Sequence, residues 1–286
     1  MVSVIVVSWN SEEYIEACIT ALVRTAKETP LQIILIDNAS KDDTVRIVEE
    51  KFSHIQVVKN SYNVGLSQAI NKGAKLATGK YIMLLNPDVI LMEDTIHKLY
   101  QFMEAREDIG ACGPQFLWPN GKIQRSCREL PTFKNLFLEF SGIGRITKCS
   151  SWKMWYFNHK ETREVEQPIG SCLMVRKELF DTLGGMDERY PIFMNDVNLC
   201  YRIKEAGHKL YFVADTNVLH YLGGSTRKVK RKMILAEHHS MYRYLRDHSN
   251  NRFLLTLYAL LLLTSAFYRV LFSRTHPPRI SKKLSH

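Results

Sequence analysis

The chain has 286 residues, of which 45% are apolar, 24% charged and 10% aromatic. That composition can bury a sizeable core and excludes a disordered, collagen-like or disulfide-scaffolded protein. The formal charge of +10 is unevenly spread: residues 225–286 carry thirteen Lys/Arg against two Asp/Glu, whereas the first 224 carry 26 against 27. A near-neutral body with a basic tail beside an apolar segment suits an anionic membrane surface, not a nucleic acid.

Val2–Val7 is a continuous, mostly β-branched run without a charged leader region or cleavage site, and predicts a buried parallel strand in place of a signal peptide. Helical spacing follows over Ser11–Lys27, then a strand at Leu31–Ile36. A helix follows over Lys41–Phe52, with Ser40 as its N-cap. Ile55–Val58, Val64–Ala77, Tyr81–Leu85, Glu93–Arg106 and Ile109–Gly113 continue the alternation as strand, helix, strand, helix and strand. Such a β-α-β-α order predicts a doubly wound, mostly parallel sheet with right-handed crossovers. The six cysteines, at 18, 112, 127, 149, 172 and 200, have neither C-x-x-C nor zinc spacing and are expected to be reduced and mostly buried.

In open α/β sheets ligands bind beyond the carboxyl ends of the strands. Four successive strands here end in short polar residues: Ser8, Trp9 and Asn10; Asp37, Asn38 and Ser40; Asn60 and Asn63; Asn86 and Asp88. Four in register favour a ligand site over four separate turns. No G-x-G-x-x-G follows the first strand and no Walker A sequence is present. An aromatic and an amide at that strand end can stack on and hydrogen-bond a base.

Eight segments, in order, carry a resemblance: V-S-V-I-V-V-S-W-N (2–10), I-D-N-A-S-K-D-D-T (36–44), N-V-G-L-S-Q-A-I-N-K-G (63–73), L-L-N-P-D-V (84–89), G-S-C-L-M-V-R (170–176), G-G-M-D-E (184–188), F-M-N-D-V-N-L-C-Y-R (193–202) and H-Y-L-G-G-S (220–225). Together they resemble the inverting family 2 glycosyltransferases of the GT-A fold, and within them the rhamnosyltransferase-like branch. The resemblance implies a Rossmann-like GT-A domain over 1–225, with a nucleotide-sugar half (1–113) and an acceptor half (114–225), followed by a basic, apolar helical tail over 226–286.

The same resemblance implies roles. Asp37 accepts the imide N–H of uracil or thymine. Ser8, Trp9, Asn10, Asn38, Asn63, Gly65, Asn71 and Asn86 line the donor site, and Asn63, Gly65 and Gly73 flank a helix where a glycine allows close approach. Asn86-Pro87-Asp88 stands where the family has Asp-x-Asp. Asp88, with His220, is therefore assigned to a divalent cation, Mg²⁺ or Mn²⁺, that neutralises a diphosphate. Asp196 is the general base, in Asn195-Asp196-Val197-Asn198 where relatives carry Glu-Asp-x-Asp. Its place at the start of a helix over 196–206 favours the anion. Gly170, Ser171, Asp187 and Glu188 fall on the acceptor side. The expected reaction is a single displacement from a dTDP- or UDP-sugar, with dTDP-L-rhamnose suggested by the branch, onto a glycan or polyprenyl-diphosphate-linked acceptor. The amides Asn195 and Asn198 keep a non-catalytic sugar-nucleotide or glycan-binding protein as the alternative.

Pro131–Gln167 is irregular and rich in aromatics and cations, fitting either an acceptor-side flap or an ordinary amphipathic subdomain. In the tail, Arg227–Lys232 reads R-K-V-K-R-K, Ile234–Tyr244 looks helical, and Phe253–Phe272 is a nearly unbroken apolar run interrupted by Arg269. Twenty helical residues reach about 30 Å, enough to span a bilayer. Basic residues on both sides, including Arg274, Arg279, Lys282 and Lys283, set no orientation. Three placements stay open: an interfacial helix, a span, and a buried or homo-oligomer-forming helix. The first two place the protein at the cytoplasmic face of the cell membrane.

Overall fold

The computed structural model describes residues 1–25, 29–92, 94–149, 151–221 and 230–272. The chain divides into two units, Met1–Leu222 and Gly223–His286. The first begins β1 (Val2–Ser8), α1 (Ile15–Thr25), β2 (Leu31–Asp37), α2 (Thr44–Lys51), β3 (Gln56–Lys59), α3 (Leu66–Leu76) and β4 (Tyr81–Leu85). It continues with β5 (Val89–Leu91), α4 (Thr95–Glu104), β6 (Ile109–Leu117), β7 (Ile123–Gln124), β8 (Cys127–Arg128), α5 (Phe133–Phe140) and α6 (Ile143–Thr147). It closes with β9 (Arg163–Glu164), β10 (Gln167–Pro168), β11 (Cys172–Arg176), α7 (Lys177–Thr182), α8 (Asn195–Glu205) and β12 (Lys209–His220).

The main sheet runs β3-β2-β1-β4-β11-β6-β12-β5. β1 lies parallel to β2 from Val2↔Leu31 to Ser8↔Asp37, and parallel to β4 from Val2↔Tyr81 to Val6↔Leu85. This register sets Ser8 beside Asp37 at the carboxyl ends. β11 inserts antiparallel between β4 and β6, and β5 pairs antiparallel with the end of β12. β8 and β10 form a separate antiparallel ribbon.

Alternation along β1 decides which helices cover which face. Val2, Val4 and Val6 pack with Ile19 and Leu22 of α1, Val48 of α2 and Leu99 of α4. Ile5 points the other way, with Ile70 of α3, Phe180 of α7 and Ile203 of α8. Both faces are thus dry, as a mainly parallel sheet requires. Each fully buried aliphatic side chain here contributes about 1.5–3 kcal/mol.

Three details differ from the sequence reading. Ser40 does not cap α2: Asp43 holds the N-cap position without a side-chain bond, and the Ser40 hydroxyl instead donates to Asp37. Gly73 lies inside α3, where an added Cβ would sit 2.6 Å from Ile5 Cγ2, so its role is helix–sheet packing. The aromatic segment around 131–167 forms α5 and α6, with Thr132 and Asn135 in a reciprocal capping box, and Arg125 and Arg145 stacked on Trp155. All six cysteines are free, and all but Cys149 are buried.

In the second unit α9 (Lys230–Asp247) packs with α10 (Arg252–Leu271). Asn251 caps α10 by accepting the Leu254 amide. Part of the expected motif at 220–225, part of the basic run at 227–232, and Arg274, Arg279, Lys282 and Lys283 lie outside the described residues.

Candidate active site

The first three strand ends are stitched into one polar platform. Asp37, 2% exposed, accepts hydrogen bonds from the Ser8 hydroxyl (2.8 Å), the Ser40 amide (2.9 Å) and the Ser40 hydroxyl. Asn10, in the left-handed region at φ 51°, receives the Lys41 amide on Oδ1 and gives its own amide to Ser40 Oγ. Asn38 donates to the Gly65 carbonyl and accepts from Asn60. Asn63 Oδ1 receives the Gly65 amide. Trp9 stays partly exposed beside this network.

Gly65 has φ +88°, and its Cβ position is 3.0 Å from both Cβ and the carbonyl oxygen of Pro191. The Pro191 carbonyl accepts the first amides of α3, Leu66 (2.6 Å) and Ser67 (3.3 Å). The close approach expected of this glycine is therefore made by the chain itself, at the Pro191 loop.

Asn86-Pro87-Asp88 turns between β4 and β5, the Val89 amide returning to the Asn86 carbonyl. Pairing of β5 with β12 sets His220 opposite Val89 and so beside Asp88, with Nε2 3.7 Å from Asp88 Oδ1. Asp88 is 7% exposed and His220 1%. His220 Nδ1 lies 2.7 Å from Gln124 Oε1, a contact that puts the proton on Nδ1 and leaves the Nε2 lone pair toward Asp88. Burial lowers the His220 pKa, with Asp88 opposing, so the ring is neutral. A carboxylate beside an unprotonated imidazole nitrogen is a donor pair that would suit a divalent cation. Among the described residues no cluster of three or more His, Cys, Asp or Glu adds a further ligand.

Asn86 also joins this end of the site to the next. Its amide donates to the Ser171 carbonyl at 2.9 Å, and its Nδ2 to Ser171 Oγ at 3.1 Å. The neighbouring Gly170 amide donates to Asp196 Oδ2 at 2.9 Å. Asp196 Oδ2 also accepts from Gln167 Nε2 at 3.0 Å, and Oδ1 accepts the Val197 amide. Desolvation raises the Asp196 pKa despite these bonds and the nearby Arg128 guanidinium, which pull it down. Burial thus strengthens this carboxylate as a base, where the helix start alone would weaken it.

Other expected site residues serve the scaffold around these centres. Asn71 grips the main chain of Met186 through both amide atoms, and its Nδ2 also donates to Glu188. Asp187 pairs with Arg189 at 2.7 Å. Asn195 and Asn198, each 3% exposed, bond inward: Asn195 to Ser67 and the Asp196 amide, Asn198 to Arg202 Nε. These two amides therefore spend their polar atoms within the fold. Gln167 and Arg128, facing each other across the β8–β10 ribbon, belong to the surroundings of Asp196 and were not anticipated. Two-residue strands have no periodicity, and the one cue was Gln167 standing three residues before Gly170.

A cavity of about 420 Å³, lined by Glu129, Tyr156, Arg163, Glu166, Lys204 and Lys209 among others, contains none of the expected residues. Within it Lys204 pairs with Glu166, and the Tyr156 hydroxyl donates to Glu129.

A sheet of this order, with polar strand ends around a carboxylate–histidine pair and a half-buried carboxylate, has the GT-A fold. Residues 3–184 match the model of "Glycosyl transferase family 2", and the chain belongs to that family. It is 27% identical over 259 residues to the N-acetylglucosaminyl-diphospho-decaprenol L-rhamnosyltransferase of Mycobacterium tuberculosis, covering 85% of this chain and 83% of that one. It is 25% identical over 252 residues to the rhamnosyltransferase WbbL of Escherichia coli K12, covering 86% and 92%. The fold superposes on the mannosyltransferase PcManGT from Pyrobaculum calidifontis, solved with GDP-Man and Mn²⁺. That match has a TM-score of 0.60 and 16% identity, and covers 96% of this chain and 76% of that one.

Proposed function

We propose that this chain is an inverting glycosyltransferase of cell-surface polysaccharide synthesis, moving L-rhamnose from a dTDP-sugar to a lipid-linked, diphosphate-bearing acceptor. Family membership carries the sugar transfer. The relatives named as rhamnosyltransferases, one of them acting on N-acetylglucosaminyl-diphospho-decaprenol, favour that donor and acceptor. The observation that carries the mechanism is the hydrogen-bonded run from Asp196 through Gly170 and Ser171 to Asn86, two residues from Asp88. It ties the base rigidly to the diphosphate end, as in-line displacement demands.

In this reading residues 1–113 hold the donor, 114–225 the acceptor, and 226–286 the membrane surface on the cytoplasmic side. The strand-end platform of Trp9, Asn10, Asp37 and Asn38 receives base and sugar. The Asp196 carboxylate takes the proton from the acceptor hydroxyl as its oxygen bonds to the anomeric carbon. The bond from that carbon to the diphosphate oxygen breaks on the opposite face, so the configuration inverts. Asp88 and His220 would hold the divalent cation, whose charge favours departure of the nucleoside diphosphate when bound. Gly170 and Gln167 fix the Asp196 carboxylate by hydrogen bonds.

The test is calorimetry of the detergent-solubilised chain with dTDP-rhamnose, UDP-glucose, UDP-galactose, UDP-N-acetylglucosamine and GDP-mannose, with and without Mg²⁺ or Mn²⁺. Metal-dependent binding of dTDP-rhamnose, weakened at least tenfold in Asp88→Ala, is the expected result. Metal-independent binding unaffected by Asp88→Ala refutes the cation assignment, and silence toward every donor refutes the donor site.

A further inference from the structure

The helix α10 is long and apolar enough to cross a bilayer, yet its two faces are unlike each other. Tyr258, Leu262 and Ala266 recur at helical spacing and are buried. On the opposite face Phe253, Leu257, Leu260, Phe267 and Leu271 are exposed, Phe253 and Phe267 by 72% each. The remaining exposed positions of that face between 253 and 272 are apolar, Thr or Tyr, and none is charged.

The inward face is tied to α9 by polar contacts in the second half of the helix. Arg269 pairs with Glu237 at 2.9 Å. His238 gives its Nδ1 proton to the Ile234 carbonyl, so Nε2 accepts from Ser265 Oγ at 3.1 Å. With only residues 248–251 between them, α9 and α10 form an antiparallel hairpin. α9 carries Lys230, Arg231 and Lys232 in its first turn, Glu237, His238 and His239 at its middle, and Arg243 and Arg246 in its last two turns. A spanning α10 would either drag these charges into hydrocarbon or break its contacts with α9, and both are costly. Paired with α9, α10 turns an uncharged face to one side and the charged helix α9 to the other, and such one-sided polarity suits a hairpin lying in the membrane interface. The cations that flank its apolar run are Arg252 at its first position and Arg274, Arg279, Lys282 and Lys283 beyond it in sequence, with no acidic residue after Asp247.

We propose that α10 does not cross the membrane: it lies in the plane of an anionic bilayer with its Phe253–Phe267 face sunk into one leaflet and α9 on the water side. The partner is the lipid surface itself, recognised by apolar insertion plus attraction of the flanking cations to acidic headgroups. The inference rests on the second unit alone and stands apart from the sugar-transfer reading.

Two experiments on the full chain test it. The first is flotation with phosphatidylglycerol/phosphatidylethanolamine vesicles against phosphatidylcholine vesicles, for wild type and for Leu260→Glu/Phe267→Glu. Wild type is expected to float with the anionic vesicles, at least tenfold more weakly with neutral ones, and the double variant to stay in solution with unchanged donor binding. A double variant that floats like wild type overturns the proposal. So does a wild type that ignores lipid and runs as a dimer that the double variant dissociates, which would give the face to a second copy. The second is labelling of Asn250→Cys and Lys282→Cys, in a Cys149→Ser background, by a membrane-impermeant maleimide added to sealed vesicles. Both ends are expected to react from the same side, and reaction from opposite sides establishes a span and overturns the proposal.

Discussion

Gly170 and Asp196 are in direct contact. The Gly170 amide donates to Asp196 Oδ2 at 2.9 Å, and a Cβ on Gly170 would lie 2.7 Å from Asp196 Cβ and 3.2 Å from Oδ2. The glycine is needed here for space, because any side chain must push the carboxylate aside. Gly170→Ala is therefore expected to lower kcat by about 100-fold, the effect of roughly an ångström of misplacement. Its donor Kd and circular dichroism spectrum should match wild type. Steady-state kinetics with calorimetry checks this, and an unchanged kcat would disconnect Asp196 from the chemistry.

Asp196 itself yields a pH prediction. Burial raises its pKa, and only the ionised carboxylate can take a proton. The rate should therefore fall on acidification through a midpoint above the ordinary carboxylate range. Asp196→Asn is expected to reduce kcat by about 10²–10⁴-fold and to abolish that acid limb, while donor binding persists. A pH–rate profile of both forms decides. An acid limb surviving in the variant would assign the base to another group.

The sequence revealed those features that local chemistry writes down. β1, β2 and β4 are largely buried on both faces, so their sequences are apolar runs broken only by Ser3 and Gln32, and the polar residues that end them stand out. β11 was invisible as a sheet member because its pairing with β4, Cys172↔Leu85 among others, depends on contacts between distant segments. β5, β8 and β10 are too short for any period to register. The nearness of His220 to Asp88 arises from the β5–β12 ladder and was reached through family resemblance. The family resemblance, with its strand-end position, makes Asp37 a base acceptor, but the sequence cannot say that Ser8 and Ser40 already occupy most of its lone pairs.

That occupancy separates two roles for Asp37. With the carboxylate removed, the Ser40 amide and the two serine hydroxyls lose their acceptor in a nearly dry site. Each stranded donor costs about 1–3 kcal/mol, less where a hydroxyl can rotate to a new partner. Asp37→Ala is expected to lower Tm by several degrees and to weaken nucleotide binding. Ser40→Ala leaves the Ser8 bond in place and should do less of both. Thermal melts with uridine and thymidine diphosphate titrations measure the two effects. A variant with unchanged Tm but lost nucleotide binding would mean that Asp37 serves the ligand alone.

His159 makes acid stability a property of the β8–β10 ribbon. The ring is fully buried, its Nδ1 donates to the Phe157 carbonyl, and its Nε2 accepts the amides of Ser126 and Cys127, each at 3.2 Å. Burial lowers its pKa from 6.5 to about 4. Between those values the unfolded chain binds a proton that the folded chain refuses, so stability declines as pH falls from 6.5 toward 4. The full difference is about 3 kcal/mol. Protonation also replaces an acceptor with a donor facing two amides, directly beside Arg128 and opposite the strand that carries Gln167 to Asp196. His159→Gln keeps an acceptor but cannot titrate. It should melt lower than wild type at pH 7 and show a shallower loss of Tm down to pH 4.5. Parallel slopes for the two proteins would place the acid-sensitive group elsewhere.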